Sequence, residues 1–497
     1  MLYKTTTSFT YAYILFCSLL MTLFAQSNPF KLSFVGDTAV FIYIAKEILE
    51  GGMPYRDFFD HKGPLIYLFD ALGLLIDDRV GIWIVELTVI FITFLFAYKI
   101  ARLLKCSRFS SCVVVTIGIF ALLYYFQGGN LTEEYACAFI TVSFYYFLAF
   151  LINGKINKLQ VVLTGASFAA VCMLRANMIA CWLVMISAFL FDCFIRKKYQ
   201  FAVHLICWFA VGALLLFIPT FVWLFINDAF QPFINDYICF NIIYSSETLV
   251  SSKLSALFMF ITSPSLILSI PVLFYFCVKH KRREDWLCMM ALLLSVILAS
   301  MAGRKHGHYG MIFYPFVIYV ASRLFYEYST TITAIKTKAS FFAKKRIVAG
   351  AFLFCFVSCI IFPIMSVFIT GNLVALIYPL KDIDFTKNRR IADIISSVTD
   401  NDDKISVVGN DNSLYLLSNR KSVSKYSYQF PIADTNYAIW EDYLNDIQKL
   451  TAKIIVLPPG ADQAHPYCEI KLITDKYYRL ISVVDRTEIY LLKAKPR

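Results

Sequence analysis

Charge is scarce in this chain. Only 16% of its 497 residues are charged, against about a quarter in a soluble globular protein, which excludes an ordinary water-soluble fold of this size. No CxxC pair and no His/Cys metal spacing is present. The 14 cysteines fall mostly inside apolar runs; only Cys239 and Cys468 are placed outside the membrane on the far side, so no disulfide framework is expected. No Gly-rich loop follows a strand, which removes the usual nucleotide-phosphate cradle. Internal repeats and low-complexity segments are absent. What the chain does contain is apolar: 59% of its residues are hydrophobic and 17% aromatic.

A helix needs about 20 apolar residues to cross the hydrocarbon core. Apolar runs predict eleven spans, near 8–26, 80–98, 110–126, 135–152, 159–174, 177–195, 201–226, 254–278, 286–302, 310–328 and 347–370. The fifth and sixth meet at Leu174-Arg175-Ala176-Asn177, which reads as a tight turn. The net charge of +12 lies largely in short loops. Lys99, Arg102, Lys105 and Arg108 share one side with Lys155, Lys158, Arg196 to Lys198, Lys279 to Arg283 and Lys336 to Arg346. The positive-inside rule makes that side cytoplasmic and removes the case for nucleic acid as the partner. The other side receives Asp37 to Asp78, Glu133-Glu134, Asp228, Asp236 and Glu247. The N-terminus is then inside and the C-terminus outside. The first span is read as retained, because Leu23 at −3 does not suit signal cleavage.

The fold class expected is a polytopic α-helical membrane protein of about 11 helices with a small C-terminal α/β domain. Residues 1–370 form the membrane domain, with a long first outer loop over 26–79, and residues 371–497 the outer domain. Within the tail, Lys404 to Gly409 and Lys453 to Leu457 read as strands, Arg389 to Val398 and Tyr437 to Leu450 as helices, and Tyr477 to Leu492 as two strands around Asp485-Arg486. Gly409-Asn410-Asp411-Asn412 is a turn by default.

The ionisable residues gather on the outer face, and ionisable groups at the membrane edge face water or do chemistry. The first outer loop, about 55 residues long, exceeds what a connector needs. Thr38 to Leu49 has helical spacing and suits an interfacial amphipathic helix. Asp37 precedes it, and N-capping is its plain structural role. Tyr55, Asp57, Asp60, His61 and Lys62 then lead into Gly63-Pro64, which turns the chain and starts a second helix. Lys62 at that start suits a lipid phosphate; the bland alternative is a snorkelling lysine. In the second outer loop Thr132 can cap the fourth span, with Glu133 and Glu134 in its first turn. Arg304, Lys305, His308 and Tyr309 form a knot of cations and donors on the face where cations are disfavoured. Arginine grips phosphate bidentately, and the basic neighbours weigh against a His-x-His metal site. Arg175, a lone outer-edge cation, is as well explained by structure as by substrate. Glu86, inside the second span, is expected to pair with an outer-loop cation. Acids and phosphate-binding cations on one face are what glycosyl transfer from a lipid phosphate requires.

Gly36-Asp37 with the helix ending Leu49-Glu50-Gly51-Gly52, then Pro54-Tyr55-Arg56-Asp57 with Phe59-Asp60-His61-Lys62-Gly63-Pro64, then Thr132-Glu133-Glu134, and finally Arg304 to Tyr309 with Tyr314-Pro315, occur in an order that resembles the GT-C superfamily of membrane glycosyltransferases. The similarity is greatest to the bacterial branch related to protein O-mannosyltransferases and to the aminoarabinose transferase acting on lipid A. It covers roughly residues 1–370. It implies a polyprenyl-phosphate-sugar donor, inversion by a single displacement, and an active site on the periplasmic face of a bacterial inner membrane. It implies Asp37 as the base, Glu133 or Glu134 as a second acid, and Lys62 with Arg304, Lys305, His308 and Tyr309 at the donor phosphate. Tyr55, Asp57, Asp60, His61 and Arg175 would position substrate. Some relatives carry Glu where His61 stands and Pro-Pro for Gly63-Pro64. Use of a divalent metal varies in the superfamily and stays open, as do the sugar and the acceptor, whether glycan, lipid or protein. A transporter or flippase for lipid-linked glycans is the rival reading. Transporters place polar groups near the midplane, whereas here they crowd one edge.

Overall fold

The computed structural model describes residues 2–335, 350, 383–460 and 466–493. Helices dominate the first part. They are α1 (Leu2–Thr22), α2 (Gly36–Leu49), α3 (Leu65–Leu74), α4 (Val80–Leu103), α5 (Arg108–Phe126), α6 (Thr132–Asn153), α7 (Lys158–Cys172), α8 (Ala180–Ile195) and α9 (Tyr199–Ile226). There follow α10 (Phe230–Phe233), α11 (Phe240–Ser246), α12 (Val250–Ile261), α13 (Pro264–His280), α14 (Arg283–Ser300) and α15 (Tyr314–Ile335). Ten of the expected apolar runs fall on these helices; the run at 347–370 and the boundary at 370 lie outside the described residues.

Among the described residues, α4, α5, α6 and α9 are each long and apolar enough to cross a bilayer. The expected run at 254–278 is not one straight helix. It breaks between α12 and α13, which bend by 76°. Pro264 explains the break: it lacks the N–H that would continue α12, and it pushes Ser263 out of helical geometry, to ψ 149°. At the crossing of α7 and α9, a Cβ on Gly165 would strike the Phe209 carbonyl, and one on Gly212 the Val162 carbonyl. Small residues permit that approach, and in lipid close packing replaces the hydrophobic drive that joins helices in water.

The tail forms a five-stranded sheet. Its strands are β1 (Lys404–Val407), β2 (Lys421–Ser422), β3 (Ile454–Leu457), β4 (Tyr478–Val484) and β5 (Thr487–Leu492), in the order β2-β1-β3-β5-β4. β1 runs parallel to β2 and β3, while β5 is antiparallel to β3 and β4. Asp485 and Arg486 both take positive φ between β4 and β5, the twist that a two-residue hairpin needs. Helices Ile383–Val398, Ser413–Ser418, Ala438–Gln448 and Tyr467–Tyr477 accompany the sheet.

The tail is fastened to the first outer loop and α2. Lys421 Nζ pairs with Glu47 at 3.2 Å and Glu50 at 2.7 Å. Ser422 N donates to Tyr43 Oη at 2.9 Å, and Phe59 N to the Lys425 carbonyl at 2.9 Å. Lys425 reaches Asp236 at 2.7 Å, and Lys46 bonds Asn419.

Candidate active site

The loop between α2 and α3 is shaped by its own polar groups. Asp57 accepts from Met53 N at 2.8 Å and pairs with Arg56 at 2.7 Å. Tyr55, fully buried and at φ 68°, donates from its hydroxyl to the Lys62 carbonyl at 2.7 Å. Asp60 is buried and accepts from Tyr67 and Tyr428, each at 2.8 Å. Tyr55 and Asp57 thus bond within the loop, while Asp60 ties it to α3 and to the tail. The next residue pair joins the loop to a second element. Gly63 N donates to the Leu174 carbonyl at 3.1 Å, and Leu65 N to the Met173 carbonyl at 3.1 Å. A Cβ on Gly63 would strike the Met173 carbonyl, so glycine is what lets Lys62 stand beside the turn that carries Arg175.

Asp37 lies inside the first turn of α2 and does not cap it; Val35 occupies the cap and no side chain serves there. Its carboxylate is 43% exposed and 3.7 Å from Lys62 Nζ. Thr132 does not cap α6 either. Leu131 holds that position, and the Thr132 hydroxyl donates to Glu133 Oε2 at 2.9 Å. Glu133 Oε1 accepts from Arg175 Nη1 at 2.5 Å, and the Arg175 guanidinium lies 4.0 Å from the centre of the Tyr309 ring. His308 Nδ1 is 2.7 Å from Gln127 Oε1, and its ring stacks on His306.

Burial opposes the charge on Lys62, but Asp37 and Asp60 outweigh it and hold the ammonium above its ordinary value. Burial likewise opposes Arg175, and Tyr309 with Glu133 more than compensates. His308 is pushed down by burial, against the pull of Glu133 and Asp37, and so is held towards the neutral imidazole. Asp37, Lys62, Glu133, Arg175, His308 and Tyr309 therefore form one electrostatic cluster, drawn from five places in the chain.

Three expected members stand apart. Glu134 turns from the cluster and accepts from Asn130 N at 2.7 Å. It faces Glu86, which accepts from Ser27 and from Asn130 N and feels the charge of Lys31 in the loop before α2. Asn130 Nδ2 in turn donates to Asp70 at 3.2 Å, a carboxyl that burial pushes well up. Lys305 is exposed and makes no ion pair among the described residues. Arg304 is half-buried, lies 5.0 Å over the Tyr244 ring, and keeps a buried Nε with no hydrogen-bond partner among the described residues.

A cleft of about 430 Å³ opens beside Arg175, with Asn177, Tyr237, Asn241, Tyr244 and Lys253 among its walls. Sequence reasoning missed Gln127, Asn241, Tyr244 and Tyr428. None carries a local signal, because each meets the site through a contact more than a hundred residues away in sequence. Among the described residues no three His, Cys, Asp or Glu side chains are placed to hold a metal ion. Asp37 and Glu133 face the cations Lys62 and Arg175.

A family model described as putative competence-induced protein Ccs4 N-terminal domain matches residues 3–379. No curated protein matches in sequence. The crystal structure of ArnT from Cupriavidus metallidurans bound to undecaprenyl phosphate is similar at TM-score 0.64 and 12% identity, over 99% of this chain and 98% of that one. The apo form of the same protein is similar at TM-score 0.62 and 11% identity, over 98% of each chain. The oligosaccharyltransferase of Archaeoglobus fulgidus, in complex with Zn and sulfate, gives TM-score 0.47 at 12% identity, over 97% of this chain and 73% of that one. The fold is therefore that of the ArnT structures, a polytopic helical membrane fold.

Proposed function

The chain belongs to the competence-induced Ccs4 N-terminal domain family, and we propose that it is an integral membrane glycosyltransferase moving a hexosyl or pentosyl group from a polyprenyl-phosphate donor to a periplasmic acceptor. The observation that carries this reading is the Asp37 carboxylate standing 3.7 Å from Lys62, with Arg175, His308 and Tyr309 in the same electrostatic cluster. A base and a phosphate cradle side by side are the two groups a single displacement needs. The ArnT fold supports a lipid-phosphate donor, since that protein was crystallised with undecaprenyl phosphate.

In this reading Asp37 takes the proton of the acceptor hydroxyl. The freed oxygen forms its bond to the anomeric carbon from the face opposite the phosphate. The bond from that carbon to the phosphate oxygen breaks, and polyprenyl phosphate leaves with the electron pair, inverting the centre. Lys62 meets the charge that develops on the leaving oxygens, where a preorganised cation acts most strongly. Arg175, held by Glu133 and Tyr309, forms the wall behind it, and Glu133 orients the acceptor side. His308 and Tyr309 add donors. No step passes through a metal.

The topology that goes with this reading has eleven spans, a cytoplasmic N-terminus, the active site on the periplasmic face and the tail on the same side. It places the protein in a bacterial inner membrane, with residues 1–370 catalytic and 371–497 a periplasmic domain. The loop cations support that orientation. The acceptor is a glycan, a lipid or a protein. The test uses purified protein in nanodiscs with polyprenyl-phosphate sugars and an envelope acceptor fraction, and measures free polyprenyl phosphate. Release by wild type and loss of it in Asp37→Asn is the expected result. No release from any donor by folded protein would overturn the reading.

A further inference from the structure

The Lys62 ammonium has a second close partner besides Asp37. Its Nζ lies 3.0 Å from His61 Nε2. An ammonium carries donors only, so Nε2 must accept, and the ring proton then sits on Nδ1. That nitrogen faces Asp60 Oδ1 at 3.5 Å. Asp60 is in turn fixed by Tyr67 from α3 and by Tyr428 from the tail.

The imidazole is also held in place by groups other than Lys62. Its ring packs against both Phe240 and Tyr244, at centroid distances of 5.5 and 5.7 Å. Asn241 Nδ2 donates to its backbone carbonyl at 2.7 Å. The charged groups facing the ring are Asp60 and Lys62 from its own loop and Arg175 from the turn after α7. Burial first, and the two cations after it, hold His61 well below its ordinary value. The ring stays a neutral acceptor with a set tautomer.

We propose that His61 is a positioning residue for the donor phosphate, its Nε2 accepting from Lys62 so that the ammonium is aimed at the site before substrate arrives. The inference rests on the lipid-phosphate donor reading above. A carboxylate in the place of His61 would neutralise the ammonium that it held. Imidazole holds it and adds no further negative charge to that of Asp37. A lysine on a flexible four-carbon stem otherwise loses rotamer freedom when it binds, and prior fixing removes that cost from the binding step.

The test measures the Kd of polyprenyl phosphate for full-length protein in nanodiscs, without turnover. The variants are His61→Phe, which keeps an aromatic ring against Phe240 and Tyr244 but removes the acceptor, His61→Gln, whose carbonyl can accept, Lys62→Gln, and the double variant H61F/K62Q. Binding should weaken about tenfold in H61F, the order expected for one lost hydrogen bond to a charged group. H61Q should bind within about threefold of wild type, as a rescued acceptor would. In the Lys62→Gln background H61F should add nothing, because residues acting through one another are not additive. Unchanged affinity in H61F overturns the inference, and so does an equal loss with and without Lys62. Should H61F not fold, His61→Ala is read in the same way. Absence of binding by wild type is a separate result: it defeats the donor reading itself.

Discussion

Arg175 donates from Nη1 to Glu133 Oε1 at 2.5 Å, with both side chains almost wholly withdrawn from solvent. Glu133 and its neighbour Glu134 are adjacent in sequence, but a helix turns about 100° per residue, so only one of them can face this arginine. Glu133→Gln should lower turnover about a hundredfold or more, as expected for a group that orders the reacting partners. It should also lower the melting temperature, since it strands a buried guanidinium, a loss of about 3 kcal/mol. The double variant E133Q/R175Q should lose less stability than the sum of the two single variants. Glu134→Gln should leave turnover within about threefold, because its carboxylate lies outside the cluster. Single-turnover rates and thermal melts of the four proteins check this; equal losses in the two single glutamate variants would contradict it.

Asp37→Asn keeps the size and shape of the side chain and removes the base. Turnover should fall about 10²- to 10⁴-fold, the usual worth of general-base catalysis. Affinity for polyprenyl phosphate should hold or tighten, because Lys62 no longer shares its charge with a carboxylate 3.7 Å away. Rate and Kd measured on the same preparation separate the two effects. A loss of affinity equal to the loss of rate would assign Asp37 to binding.

Much of this site is legible in the sequence, and the residues that are not share a cause. Asp37, Lys62, Glu133, Arg304 and His308 stand out because a charge or a donor in an apolar chain is costly unless it is used or paired. The choice between Glu133 and Glu134 is not legible, since it depends on which face of α6 meets α4 and which meets the turn at Arg175. Asp37 reads as a cap from its place before an amphipathic run, yet Gly36, with φ at +58°, already starts the helix and draws Asp37 into its first turn. The α12–α13 bend was signalled by Pro264, but continuous hydropathy across 254–278 hid it. Gln127 and Tyr428 bear no mark at all, because only tertiary closure gives a surface glutamine or a strand-flanking tyrosine a place beside His308 or Asp60.

Acid acts in opposite directions on the two buried histidines and on Asp70, whose carboxyl burial pushes up. His61 and His308 lie below the ordinary histidine value in the folded state. In the window from about 6.5 down to their folded values, the unfolded chain binds more protons at these two groups than the folded one. Their share of stability therefore rises with pH across that window and is lost as pH falls through it. Asp57 is held below the ordinary aspartate value, chiefly by Arg56, so its contribution is lost only at lower pH. The histidine share of this slope is read by difference: between pH 7.5 and 5 the melting temperature should fall further, or rise less, in wild type than in His61→Gln. An unchanged slope in that variant would contradict the assignment to His61.

Tyr428 ties the tail to the loop that carries Lys62. Its buried hydroxyl donates to Asp60 Oδ1 at 2.8 Å, across 368 residues of sequence. Lys421, Ser422 and Lys425 fasten the same stretch of tail to α2, to Phe59 and to Asp236. Tyr428→Phe keeps the ring and leaves Asp60 with the Tyr67 hydroxyl and its own loop, so the buried carboxylate loses one donor of several. That should cost about 1–3 kcal/mol, the penalty of an unmet hydrogen bond on a buried group. Tyr426→Phe is the control. The Tyr426 hydroxyl meets Asp442 at 3.4 Å in an exposed contact within the tail itself, and its loss should leave the melting temperature nearly unchanged. If both variants melt alike, the tail is not held through Asp60. If Tyr428→Phe alone melts early, and proteolysis then cuts between 383 and the sheet faster than in wild type, the hydroxyl is one of the bonds that keep the tail closed over Lys62.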